Sequence, residues 1–496
     1  MRTIFESLKT IPNCVILMPD KVSTHENIIL TVILVGVLMA SIDSTIVLLA
    51  FPDITSALHS NLSTIIWVIL IYMLVSAVAT TQFGRVGDIY GRSRIFNAGL
   101  AVFTVASLLC GLAPTDTLLI AFRAVQGLGS AMVSATSGAI IADTFERHRI
   151  GRAYGFTAMG WNVGAILGIV LGGFITTFIG YRYIFFINVP IGIIALLLGV
   201  RYLKDNSTLK EKLDLTGMLT LVIAISSLLY GGVVLASSGP NAFDIGMIIA
   251  GFVFGAIFYF AEKRSKSPTI KFDMFSNTVF RNSIFASFLQ GLGFLGVTFM
   301  LIMYLQGVRG FSPFYASLLL IPGYVASGFL SPFMGRVSDK HGARVIATAG
   351  IAVQILGVLI YLTLGTLSSI YMVMAGSLVV GLGGAMFWPS NSSAVMAHAE
   401  QKRFGTASGL LRLFSSMGMM GSFIIVMVVS SLSIPRSMAF QVFAGTSKII
   451  GGVASSFVAG MHVSFIAMII MLLIAGIISF ARGKENRDVP VTAVSA

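Results

Sequence analysis

The chain has 496 residues, 56% of them hydrophobic and only 10% charged, with a mean hydropathy of +0.93 and a formal net charge of +13. This is the composition of an integral membrane protein. The positive charge is spread among short polar breaks rather than concentrated on one face, so no nucleic-acid partner is expected.

A helix needs about 20 apolar residues to cross a bilayer, and a backbone in lipid must satisfy its own hydrogen bonds, which makes the spans helices. Residues 1–27 are polar and irregular, lack a signal-peptide pattern, and read as a cytoplasmic tail. Residues 28–202 hold six apolar runs (28–51, 65–83, 94–113, 117–142, 154–178 and 183–202) and read as an N-terminal six-helix bundle. Residues 203–282 read as an inserted pair, 216–237 and 244–261, between the basic linkers Lys204–Asp214 and Glu262–Arg281. Residues 283–481 supply six more runs (283–306, 313–334, 344–366, 370–394, 406–430 and 461–481) as a C-terminal bundle. Residues 482–496 read as a second cytoplasmic tail. The expected fold is therefore all-α with fourteen spans. The outer connection 431–460 has no functional reading.

Orientation follows from Lys and Arg. With the N-terminus cytoplasmic, the outer loops hold only Arg182, Arg309, Arg436 and Lys448, while Arg123 lies within a run. The others, including Arg412 near a helix entrance, fall on the cytoplasmic side. This positive-inside bias predicts both termini in the cytoplasm. Two cysteines, Cys14 and Cys110, give no metal or disulfide framework, and no cofactor is expected.

The break after the second run reads GRVGDIYGRSR (Gly84–Arg94), and 251 positions later GRVSDKHGAR recurs (Gly335–Arg344). Gly84, Asp88 and Gly91 have the same spacing as Gly335, Asp339 and Gly342, with Arg92 among the basic residues that follow the first set. A second echo, GLGSA at Gly127–Ala131 and GLGGA at Gly381–Ala385, has an offset of 254. The chain thus reads as a tandem duplication, a common plan among secondary transporters. The repeated glycines permit tight turns; the first loop is expected to act as a cytoplasmic latch that stabilises the outward-facing state, and the second as its weaker counterpart.

Asp43 in the first run and Arg123 in the fourth are the full charges deep inside the first bundle. Intramembrane ionisable groups are costly and mark functional sites by default. At 1.5 Å per residue, Asp43 lies about 12 Å and Arg123 about 9 Å from the same side. Their depths match, so an ion pair or a shared water network is expected, with a carboxylate whose proton affinity depends on its surroundings. The fifth run carries Gly160, Gly164, Gly168 and Gly172 four apart, then Gly173. This stripe permits close helix approach and is expected either as tight packing or as a sealing surface. Trp161, Asn162, Gln290 and Trp388 are candidates to line a cavity, with ordinary packing the favoured reading for any one of them.

Together these residues resemble the major facilitator superfamily, specifically its fourteen-helix drug:proton antiporters of the EmrB/QacA type. Gly84–Arg94 resembles the loop signature between helices 2 and 3. RAVQGLGSA at Arg123–Ala131, with Gln126 and Gly127, resembles the helix 4 signature, and Gly160–Gly173 the antiporter signature of helix 5, with Ile169 where Pro is usual. Ile42–Ile54 and Tyr181–Pro190 resemble the helix 1 signature and the helix 6 entrance. The resemblance implies a monomeric, multi-pass transporter of the cell membrane that exports amphipathic compounds in exchange for protons. Because Asp43 is an acid, neutral or monocationic drugs are the expected cargo. An exporter or importer of one metabolite stays open. An intramembrane enzyme is disfavoured, because no HExxH, P-loop or paired acidic motif is present.

Overall fold

The computed structural model describes residues 24–60, 62–145, 147–205, 215–238, 241–265, 272–398, 404–433 and 452–483. The tails before 24 and after 483 and most of the outer connection 431–460 lie outside the described residues, as does most of the basic stretch after Lys204. Among the described residues all regular structure is helical. The first set comprises α1 (Thr24–Ala57), α2 (Trp67–Tyr90), α3 (Arg92–Leu112), α4 (Asp116–Thr144), α5 (Arg147–Phe178) and α6 (Asn188–Tyr202). A pair follows, α7 (Leu215–Ser238) and α8 (Ala242–Arg264). The second set is α9 (Thr278–Met303), α10 (Pro313–His341), α11 (Ala343–Tyr361), α12 (Ile370–Ala397), α13 (Phe404–Ser433) and α14 (Gly452–Phe480).

The expected fourteen spans are corrected to twelve: among the described residues, 12 helices are long and apolar enough to cross a membrane. The other two, α2 and α7, contribute only shorter apolar stretches, Trp67–Thr80 and Leu219–Leu235. Both stretches fall short of the about 20 apolar residues that crossing a bilayer takes.

The duplication is present in three dimensions. Where α3 crosses α4, a Cβ on Gly99 would stand 3.0 Å from the Gly129 carbonyl oxygen, and one on Gly129 would stand 2.9 Å from that of Gly99. Where α11 crosses α12, the same pairing recurs between Gly350 and Gly383, at 2.7 and 2.5 Å. Gly127 sits on the α2 backbone, with its Cβ position 2.9 Å from the Tyr72 carbonyl, and Gly381 sits likewise on Gly323 of α10. Real Cβ atoms do not approach backbone this closely, so each crossing requires glycine.

The two sets meet along two flanks, α5 with α10 and α2 with α13. On the first flank contact is closest at the face opposite the Gly84–Arg94 loop. There the Phe314 amide donates to Thr177 Oγ1 at 3.0 Å, and Phe314 packs edge-on against Phe174 and Phe178 with centroids at 6.0 and 5.6 Å. At the same face Gln306 Nε2 donates to the Leu49 carbonyl at 3.1 Å. The α7–α8 pair rests on the second flank: Tyr230 of α7 lies 6.0 Å from Trp67 of α2, and Gly232 faces Ile424 of α13.

Candidate functional site

The centre of the first set is a polar knot inside an apolar core. Asp43 and Arg123 are 0% and 1% exposed as side chains. Arg123 Nη1 donates to Asp43 Oδ2 at 2.5 Å and to Gln126 Oε1 at 2.7 Å. Gln126 Nε2 donates to the other Asp43 oxygen, Oδ1, at 2.9 Å and to Ser107 Oγ at 2.8 Å. Asn188 Nδ2 also reaches Oδ1, at 3.2 Å. The far side of the guanidinium is held by the Val68 carbonyl, 2.9 Å from Nε, and by the Tyr72 ring, whose centroid is 4.1 Å from Cζ. Five helices meet at this knot, and two of them, α4 and α6, donate to the carboxylate of α1. A buried charge is tolerable only when paired and hydrogen-bonded, and here both oxygens of Asp43 accept donors.

Depth along the helices had brought Asp43 and Arg123 together, and the structure joins them. Gln126, one turn beyond Arg123 on α4, is the bridge between the pair and α3. Asn188, Ser107, Tyr72 and the Val68 carbonyl were not anticipated. Asn188 had a signal, an amide within the run that opens α6. Ser107 and Tyr72 had none, since a lone hydroxyl in an apolar run reads as packing.

The glycine stripe of α5 holds α1 in register. A Cβ on Gly164, Gly168 or Gly172 would lie 2.9, 2.6 or 2.8 Å from the carbonyl oxygens of Leu38, Ile42 and Ile46, and Gly160 faces Leu34. Two hydroxyls of α1 bind the α5 backbone on either side of Asp43: Ser41 Oγ donates to the Trp161 carbonyl at 2.6 Å and Thr45 Oγ1 to that of Ala165 at 3.3 Å. The stripe is therefore a clamp within the first set. Gly173 alone of the five touches the second set, its Cβ position 2.7 Å from the Pro313 carbonyl.

The repeated loops share a backbone device. Gly91 and Gly342 both take positive φ, 107° and 94°, and each donates its amide back four residues, to Gly87 and Ser338, at 2.9 Å. The side chains of Asp88 and Asp339 lie outside the described residues. Gly335 approaches Pro389, whereas a Cβ at Gly84 would meet nothing within 4 Å. Arg92 Nη1 donates to the Ala139 carbonyl of α4 at 3.4 Å. The unforeseen partner is Asp205, just after α6. Its Oδ1 accepts the Ser93 amide at 2.7 Å, capping the start of α3, and its Oδ2 lies 3.6 Å from Arg94 Nε. Among the described residues, no carboxylate lies within 4 Å of the Cβ position of Gly342. Loss of such a cap costs about 1 kcal/mol. Asp205→Ala is expected to lower the melting temperature of the detergent-purified protein by a few degrees, and an unchanged melting curve would remove this tie from the account.

Of the candidate cavity residues, Gln290 is fully buried and donates through Nε2 to Gln354 Oε1 at 3.3 Å inside the second set, so it does not line a cleft. Trp161, Asn162 and Trp388 are half-buried. Arg412, counted from sequence among the cytoplasmic cations, lies within the apolar span Ala407–Val429, its Cζ 4.6 Å from the Trp161 ring.

The sequence matches the family model of the Major Facilitator Superfamily over residues 33–423. Multidrug resistance protein Stp of Mycobacterium tuberculosis (strain CDC 1551 / Oshkosh) is 30% identical over 386 residues, covering 77% of this chain and 72% of that protein. The riboflavin transporter RibZ of Clostridioides difficile (strain 630) is 28% identical over 387 residues, covering 77% and 84%. Among solved structures, a bacterial homolog of the human lysosomal transporter Spinster, in an inward-facing and unoccupied conformation, superposes with a TM-score of 0.62 at 16% identity, over 93% of this chain and 97% of that one. The chain belongs to the Major Facilitator Superfamily and is a multi-pass transporter of small substrates in the cell membrane rather than an enzyme.

Proposed function

We propose that the chain is a proton-coupled secondary transporter that exports amphipathic compounds by alternating access, with Asp43 carrying the proton. One observation carries this reading, a comparison of the two halves. The 254-residue offset that aligns Gly127 with Gly381 aligns Arg123 with Ser377. Arg123 Nε donates to the Val68 carbonyl of α2, and Ser377 Oγ donates to the Leu320 carbonyl of α10, at 2.9 Å in both cases. The second half keeps the helix crossing with a hydroxyl and dispenses with the charge, and α9 contains no acid to match Asp43. An ion pair is therefore not needed to hold this crossing together. Buried pairs add little net stability over apolar replacements, so the pair in the first half is retained for what a titratable group does.

Protonation of Asp43 removes the charge at which Arg123, Gln126 and Asn188 all aim. α1, α4 and α6 then lose their common anchor, and the balance between conformations shifts by the difference in proton affinity between them. The latch role of the Gly84–Arg94 loop belongs to the same proposal: a loop tied to α4 and Asp205 moves with the first set. The multidrug-named relative supports broad export. The riboflavin transporter keeps a second reading, one metabolite as cargo, in view. Efflux of a panel of dyes and riboflavin from cells expressing the chain, with and without a proton uncoupler, separates them. Broad efflux abolished by the uncoupler is the expected result, and uncoupler-insensitive efflux contradicts it.

A further inference from the structure

Arg412 is a cation that the proton-site reading does not use. It stands eight residues into α13, about 12 Å along the helix, within an apolar span. The other buried arginines are anchored by side-chain and backbone acceptors: Arg123 as above, and Arg482 through Nη2 to Asn391 Oδ1 at 3.0 Å and Nε to the Ser479 carbonyl at 2.9 Å. Arg412 differs. Among the described residues no carboxylate pairs with it and no acceptor takes its N–H groups. Its guanidinium lies on the face of Trp161 and within electrostatic range of Tyr72, whose ring backs Arg123.

The location of that contact is informative. α13 belongs to the α2–α13 flank and α5 to the α5–α10 flank. A side chain that leaves α13 and stacks on α5 spans the space between the flanks, where the two halves face each other. Both residues are half-buried. Asp43, by contrast, is fully buried and its two oxygens are engaged, so of the two groups it is Arg412 that offers its charge to this space. This reverses the preference for monocations expected from the acid alone.

We propose that Arg412 and Trp161 form a substrate subsite for planar aromatic molecules bearing one anionic group, a carboxylate or sulfonate; the proposal rests on the export reading above and names its cargo class. A guanidinium stacked on an indole keeps its N–H edge free, and that edge matches a carboxylate in a bidentate fork. The Trp161 ring supplies apolar area to the attached aromatic system. Lysine offers the charge without the planar fork.

Three dansyl probes of matched size test the subsite: dansylglycine (anionic), its amide (neutral) and a dansyl trimethylammonium analogue (cationic). Energy transfer from protein tryptophan to dansyl measures binding to the full chain in detergent, independently of transport. The anion is expected to bind about tenfold more tightly than the amide, as one charge-assisted contact provides, and the cation more weakly than either. Arg412→Gln is expected to reduce dansylglycine to the affinity of the amide while leaving the amide unchanged, with Arg412→Lys between. An unchanged amide affinity also shows that the variant is folded. If the variant does not fold, the ranking of the three probes on the unaltered chain decides alone. A cation that binds as tightly as the anion, an anion advantage that survives Arg412→Gln, or no binding of any probe overturns the subsite. Anion-selective binding without uncoupler-sensitive export instead overturns the proton-exchange reading and leaves the subsite standing.

Discussion

Asp43→Asn is expected to abolish uphill export while the protein still inserts and folds. Asparagine has the shape of aspartate and keeps an oxygen for one of the donors from Arg123, Gln126 and Asn188, but it cannot take up or release a proton. Removing one partner of a buried pair costs about 3–5 kcal/mol when the other charge is left uncompensated. Here the loss is smaller, because Arg123 retains the Val68 carbonyl, Gln126 Oε1 and the Tyr72 ring. Membrane level by immunoblot and melting temperature in detergent should therefore fall modestly, while dye efflux falls to that of cells lacking the protein. Normal efflux by a well-expressed variant would exclude Asp43 as the coupling group.

Arg123 gives the second large effect. Arg123→Ala leaves Asp43 with amide donors only and opens a void beside Tyr72, so both transport and stability should collapse, the latter by about 3–5 kcal/mol. Arg123→Lys keeps the charge, but an ammonium cannot reach Asp43, Gln126 and the Val68 carbonyl from one planar group while lying on Tyr72. Partial export is expected for Lys and nearly none for Ala, measured as initial efflux rates normalised to protein level. Equal rates for Ala and the unaltered chain would show that the knot is packing.

What was legible in the sequence was what repeats or what is rare. The loops at Gly84 and Gly335 announced the duplication, and the structure repeats it down to the Gly99–Gly129 and Gly350–Gly383 crossings. Asp43 and Arg123 stood out because charges are scarce in apolar runs, and matched depths paired them. Other features depended on which way a side chain faces, and hydropathy does not encode that. Gln290 was a candidate to line a cleft but turns inward to Gln354. The α5 glycines face α1 rather than the other half, except for Gly173. Arg412 sat near an apparent helix entrance, yet α13 begins at Phe404 and carries it inside. The span count failed at α2 and α7, whose described apolar stretches, Trp67–Thr80 and Leu219–Leu235, are shorter than a crossing needs. Asp205 was hidden in a basic linker, and only the turn at Gly91 brings it to the start of α3.

The most direct test of the central claim reads the proton rather than the cargo. The purified protein is reconstituted into liposomes holding a pH-sensitive dye, and an exported compound is added to drive the exchange downhill. Intact protein should move protons opposite to the compound, and Asp43→Asn should carry the compound down its own gradient with no proton signal. Proton movement that persists in the Asp43→Asn protein would contradict the assignment of the coupling site to this carboxylate.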